Sequence, residues 1–188
     1  MYKRQGHEYA AEINEAVERG LVVGNGDSYF YPDSVITGPQ AVKIALELIG
    51  YGTYAAVNGG YPTGYYVAAN YAGVRVNSVD NSELTRGQGI RLLFDAVTAK
   101  QLVQTSFGEN PEFQARKDVT FLSENHKIYK ITGLVTSTNL TSFYGRGPVA
   151  TGQVEIPDSE GTYILEAGKL DVDTALGCNC LLYTSRCV

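Results

Sequence analysis

Apolar positions recur every three or four residues over three stretches in the first half of the chain. In residues 7–19, HEYAAEINEAVER, Tyr9, Ile13, Ala16 and Val17 fall on one side, with Glu8, Glu12 and Glu15 on the other. This spacing predicts an amphipathic helix with a solvated acidic face, and Gly20 is placed to stop it. Residues 36–49, ITGPQAVKIALELI, predict a second helix that ends near Gly50. Residues 84–97, LTRGQGIRLLFDAV, predict a third, with Ile90, Leu92, Leu93, Phe94, Ala96 and Val97 on one broad apolar face. Between these two, Tyr65, Ala68, Ala69 and Ala72 predict a shorter helix that stops at Gly73. Residues 21–35 read as a connector with a GNGDS turn, and its run Tyr29, Phe30, Tyr31, Pro32 is apolar enough to pack over the helix pair.

Both long helices share a start signal. Thr85 is a good N-cap, and Gln88, three residues on, completes a capping box. Thr37 and Gln40 repeat the arrangement, with Pro39 in the first turn. Two copies about fifty residues apart indicate an internal repeat. At the position after the cap they differ in charge: Arg86 in the second copy is Gly38 in the first. A cation in the first turn opposes the helix dipole, yet beside free backbone N–H groups it suits an anionic ligand.

The period changes in the second half. Residues 127–139, 147–156 and 161–170 read as short strands separated by Gly-, Ser- and Asp-rich turns. The expected class is α+β, with helix-loop-helix repeats first and a small β-rich domain after them. The boundaries drawn from the pattern are repeats at 6–53 and 54–102, a polar linker at 103–125, and a β-rich module at 126–179. That module looks truncated.

Composition adds exclusions. The net charge of −5 argues against a nucleic-acid partner, whose phosphates need clustered Lys and Arg. No span is apolar enough for a transmembrane helix, and no signal peptide is recognisable. The ends, MYKRQ at 1–5 and CLLYTSRCV at 180–188, read as foreign translated segments to be set outside the fold. Residues 6–177 hold no cysteine, which rules out a disulfide framework or a cysteine metal site there.

The ordered stretches AAEINEAVERGLVVG (10–24), GDSYFYPD (26–33) and ITGPQA (36–41), then GYPTGYYVAANYAGV (60–74) and LTRGQGIRLLFDAV (84–97), together resemble the S-layer homology repeat. The run around Gly60 is especially similar to Firmicute cell-surface proteins that carry such repeats, and DTALG at 173–177 is similar to segments that follow them. Two departures stand out: Gly38 where the family usually has arginine, and two repeats where it commonly has three.

The resemblance implies non-covalent anchoring outside the cell, at the wall or S-layer and in association with peptidoglycan. The implied partner is an anionic secondary cell-wall polysaccharide, often carrying a pyruvate ketal. It also implies that Arg86 meets the anionic sugar, its planar fork suiting a carboxylate; the competing role is an ion pair with Glu83 or Asp80. Thr85 and Gln88 are caps first and polymer contacts second, and Thr37 and Gln40 are caps. Tyr65, with Tyr61 and Tyr66, offers sugar-stacking faces beside a groove, as do Tyr29 and Phe30; the competing role, and for most of them the commoner one, is core packing. No reaction, cofactor or metal is expected. His7 and His126 have no metal-ligand spacing, no nucleophile elbow occurs, and DVD at 171–173 lacks the rest of a calcium loop. The alternative readings are the anchoring part of an exported polysaccharide-acting enzyme and a structural S-layer subunit.

Overall fold

The computed structural model describes residues 7–24, 30–76, 82–108, 110–157 and 161–184. The chain divides into two compact units, Met1–Phe121 and Leu122–Val188. The architecture is α+β, with a helical N-terminal region and small antiparallel sheets after it.

In the first unit, α1 (Ala10–Glu18) ends as its glycine predicts. Gly20 takes φ 71°, its N–H donates to the Val17 carbonyl at 2.9 Å, and the Leu21 N–H donates to the Ala16 carbonyl at 2.9 Å. These two bonds close the helix in a left-handed glycine cap. None of its residues is buried, although Ile13, Ala16 and Val17 are half-covered.

Helix α2 (Gly38–Leu48) buries Val42, Ala45 and Leu46, and Ile49 just beyond it, at helical spacing. The turn-rich link that follows contains an unexpected short helix, α3 (Gly52–Val57), which pairs with α4 (Thr63–Ala72). The close approach needs Gly64, because a Cβ there would run into the Ala55 carbonyl. Helix α5 (Arg86–Thr98) packs on α2.

Only Leu92 and Ala96 of α5 are buried. Ile90, Leu93 and Phe94 are exposed, so the broad apolar face expected there is a narrow stripe. One neighbouring helix covers one stripe and leaves the flanks of the apolar face bare.

Strands β1 (Lys100–Gln104) and β2 (Phe113–Thr120) form an antiparallel hairpin. Residues 103–125 are therefore not a linker. Leu102 is buried and its N–H donates to the Ile49 carbonyl at 3.3 Å, while Phe113 meets Tyr54 edge-on at 5.3 Å. These anchors tie the hairpin to the helical core and add a small sheet to a region expected to be wholly helical.

The chain continues through α6 (Phe121–His126), and the second unit then builds β3 (Tyr129–Leu134), β4 (Gln153–Pro157), β5 (Thr162–Glu166), the short α7 (Val172–Ala175) and β6 (Asn179–Thr184). Strand β3 pairs with β6 and β4 with β5, all antiparallel. The chain beyond β3 also joins β4: the Thr136 N–H donates to the Glu155 carbonyl and the Glu155 N–H to the Ser137 carbonyl, both at 2.9 Å. Val135, Val154, Ile156 and Leu165 are fully covered and form the core of this unit.

Residues 180–184 are not outside the fold. They lie in β6, in unbroken register with β3, and Cys180 and Leu182 pack against the core. The N-terminal segment 1–5 lies outside the described residues. The DVD stretch opens α7, where the Thr174 hydroxyl donates to Asp171 Oδ2 at 3.1 Å.

Candidate functional site

The two repeated helix starts lie side by side. Thr37 and Glu83 form a single antiparallel bridge. The Leu84 N–H donates to the Ile36 carbonyl at 3.1 Å, and the Gly38 N–H donates to the Ser82 carbonyl at 3.2 Å. Each start is capped within its own copy. The Thr85 N–H donates to Gln88 Oε1 at 2.9 Å, and the Gln88 N–H donates to Thr85 Oγ1 at 3.3 Å. In the first copy the Thr37 N–H donates to Gln40 Oε1 at 3.0 Å.

The copies diverge at the residue after the cap. Gly38 is buried and its N–H is spent on Ser82. Arg86 and Gly87 are exposed, and neither has a hydrogen-bond partner or ion pair among the described residues. Arg86 is not paired with Glu83; Asp80, the other partner considered, lies outside the described residues. The second helix start thus keeps open N–H groups and a free guanidinium, the combination that receives an anion. Thr85 and Gln88 turn their oxygens into the cap, which leaves the Gln88 amide donors for other partners.

Tyr65 does not offer a stacking face. It is 7 % exposed, sits in the helical core, and its hydroxyl donates to Glu47. Burial, followed by that bond to the carboxylate, pushes its phenol well above the ordinary range. Tyr61 is the exposed ring of this pair, standing edge-on to Tyr65 at 6.3 Å. Tyr66 is half-covered, packed against the same core, and Tyr29 lies outside the described residues. Tyr51 is buried too, its hydroxyl donating to the Lys100 carbonyl at 3.1 Å, and burial raises its phenol to about 12.

Two cations escaped the pattern. Arg75 forks onto Asp95, its Nε reaching Oδ2 at 2.8 Å and Nη2 reaching Oδ1 at 2.7 Å. Those hydrogen bonds hold the Asp95 carboxyl below its usual range, against the opposing effect of burial. Arg75 lies just beyond α4, next to the buried Val74, and nothing in the local pattern marks Asp95 as its partner.

Lys43, on α2, lies 5.9 Å from the centre of the Tyr61 ring. Both line an open groove of about 550 Å³ whose described walls are residues 21–24, 30–32 and 34–36, with Gln40 and Ile44 of α2. Tyr31, expected to pack over the helices, is 48 % exposed on this groove's rim.

Among known families, the one described as S-layer homology domain matches residues 4–42. The chain carries an S-layer homology domain. The match covers α1, the connector and the first turns of α2; it does not extend over residues 54–102, the second copy. It also begins inside the segment expected to be foreign at 1–5. No curated protein and no solved structure matches the chain. S-layer homology domains bind cell-wall polymers, so the domain associates this chain with the cell wall or cell surface. Among the described residues, no helix is long and apolar enough to cross a membrane, and no group of His, Cys, Asp or Glu is arranged to hold a metal.

Proposed function

We propose that this protein anchors non-covalently to the cell wall by binding an anionic secondary wall polysaccharide at the second helix start, without catalysing a reaction. The observation that carries this reading is the contrast between the two copies. Gly38 is buried and its N–H bonded, whereas Arg86 is exposed and uncommitted at the open end of α5. Its planar fork matches a carboxylate, such as that of a pyruvate ketal, and the first-turn N–H groups add donors and a favourable dipole.

Retention on purified wall sacculi tests this. Wild-type protein is expected to bind and to be released by raised salt, because the contact is an exposed ion pair. Arg86→Ala is expected to lose at least about tenfold in affinity, as for a charge-assisted contact of ~1.5–3 kcal/mol. Equal retention of the variant, or no retention of wild type, sinks the reading.

A further inference from the structure

We infer that two copies of this chain associate through α5, the helix of one lying antiparallel on the helix of the other along a seam of Ile90, Leu93 and Val97. The inference concerns self-association and does not depend on wall binding.

The internal repeat marks this face. Thr37 and Gln40 correspond to Thr85 and Gln88, so Val42, Ala45, Leu46 and Ile49 correspond to Ile90, Leu93, Phe94 and Val97. In both copies this spacing gives one continuous helical stripe. The four residues of the first copy are no more than 2 % exposed. Helices α3 and α4 fold back over α2, and Tyr65, Ala68 and Ala69 of α4 join the same core. In the second copy Ile90 is 68 % exposed, Leu93 and Phe94 are 49 % exposed, and Val97 is half-buried. The chain after α5 runs into β1 instead of a covering helix pair. The same apolar face is thus a buried helix contact in one copy and open to solvent in the other.

A helix like α4 would complete the match, and α1 is its counterpart in the first copy. Their ends align bond for bond: the Leu21 N–H donates to the Ala16 carbonyl as the Val74 N–H does to the Ala69 carbonyl, both at 2.9 Å. That alignment sets Glu12 and Glu15 where α4 has Tyr65 and Ala68. A carboxylate pressed on an apolar seam loses its water without gaining a partner, so α1 of another copy is a poor mate. The mate with the right surface is α5 itself. An antiparallel crossing sets apolar residues against apolar residues. It also turns each Arg86, at the head of its helix, toward the carbonyl end of the mate, where a cation is favoured. A helix of 13 residues gives a contact ~20 Å long and ~10 Å wide. That is a few hundred Å² per partner, short of the roughly 1,000 Å² in total that a stable interface buries. Association is therefore expected to be weak, with a dissociation constant on the order of 100 μM.

Sedimentation equilibrium of the full chain from about 10 μM to about 1 mM tests this. Reducing conditions are used because the chain carries three cysteines. The expected result is a monomer–dimer equilibrium. Leu93→Glu and Leu93→Lys are each expected to weaken it at least about tenfold, because each buries an unpaired charge in the seam. Their melting temperatures, measured where the chain is monomeric, should match wild type, since position 93 is half-exposed there. Mixed one to one, the two variants should recover dimers, because position 93 lies near the midpoint of the seam and faces its own counterpart. Ile90→Glu, at the most exposed of the four positions, gives the same reading should the Leu93 variants melt lower. Val57→Glu, comparably exposed but on α3, should leave the equilibrium unchanged.

A monomer across the whole range overturns the inference, as does a dimer indifferent to the Leu93 and Ile90 variants. Dimers lost in both Leu93 variants and not recovered by mixing overturn the pairing of α5 with α5. Growth past the dimer does the same, being the mark of a head-to-tail contact that does not close.

Discussion

Thr37 and Glu83 meet as an isolated antiparallel bridge, directly in front of two capped helix starts. The bridge makes the two starts unequal. It covers Gly38 through the Ser82 carbonyl and leaves Arg86 outside. A repeat in sequence has thus become a pair with one open end and one closed end.

The cap of the open end is expected to matter for shape as well as stability. Thr85→Ala removes the oxygen that accepts the Gln88 N–H and should cost about 1 kcal/mol. Thr85→Ser should restore most of this. If wall binding depends on the geometry of the first turn, retention should fall in Thr85→Ala and recover in Thr85→Ser. Thermal melts alongside sacculus binding measure both, and a cap variant that melts lower but binds normally would confine Thr85 to a structural role.

Asp95 links stability to pH. Its carboxyl is held below the usual range by Arg75, so the unfolded chain takes up the proton first as pH falls. The stabilisation is present above the unfolded value, near 4, and is lost as pH drops through the lower folded value. Asp95→Asn should therefore lower the melting temperature at about pH 7, with the gap to wild type narrowing as pH falls below about 4. Melts of both proteins over that range check it, and a gap that widens toward acid would contradict the assignment.

Tyr65 sorts packing from recognition. Tyr65→Phe keeps the buried ring but leaves the Glu47 carboxylate without its donor, a change expected to cost about 1–3 kcal/mol. Wall retention at a temperature where the variant is folded should equal that of wild type, because the ring faces the core. Denaturant unfolding and sacculus binding decide the matter together.

The helices were legible because their signals are local: a capping box, a glycine stop, an apolar period. Of the two roles open to Tyr65, sugar face and core packing, its spacing with Ala68, Ala69 and Ala72 already favours the core, where the structure places it. The hairpin was illegible because its strands carry Gln, Lys, Arg and Asp and are mostly half-covered, with Leu102, Phe113 and Ala115 packed on the core. The Thr37–Glu83 bridge leaves no period at all, being one pair of residues far apart in sequence. Lys43 and Tyr61 lie eighteen residues apart on different elements, a juxtaposition only the folded chain reveals. All of β6 but Asn179 falls in the segment expected to be foreign, yet alternation through Cys180 and Leu182 gives the strand a core-facing side.

Restoring arginine at position 38 tests how far the closed copy differs from the open one. If sequence alone decided binding, Gly38→Arg would create a second anionic site and raise wall retention. The fold argues otherwise. Gly38 is buried, and its N–H already bonds Ser82 across the junction between the two helix starts. A guanidinium there must either be desolvated or push the 82–84 segment away to reach water. The expected outcome is a loss of about 1–3 kcal/mol with no gain in retention, because the same displacement disturbs the bridge that presents Arg86. Urea unfolding and sacculus binding of the single variant measure both quantities. Higher retention at undiminished stability would show that the first start is closed by the missing side chain and not by its neighbours.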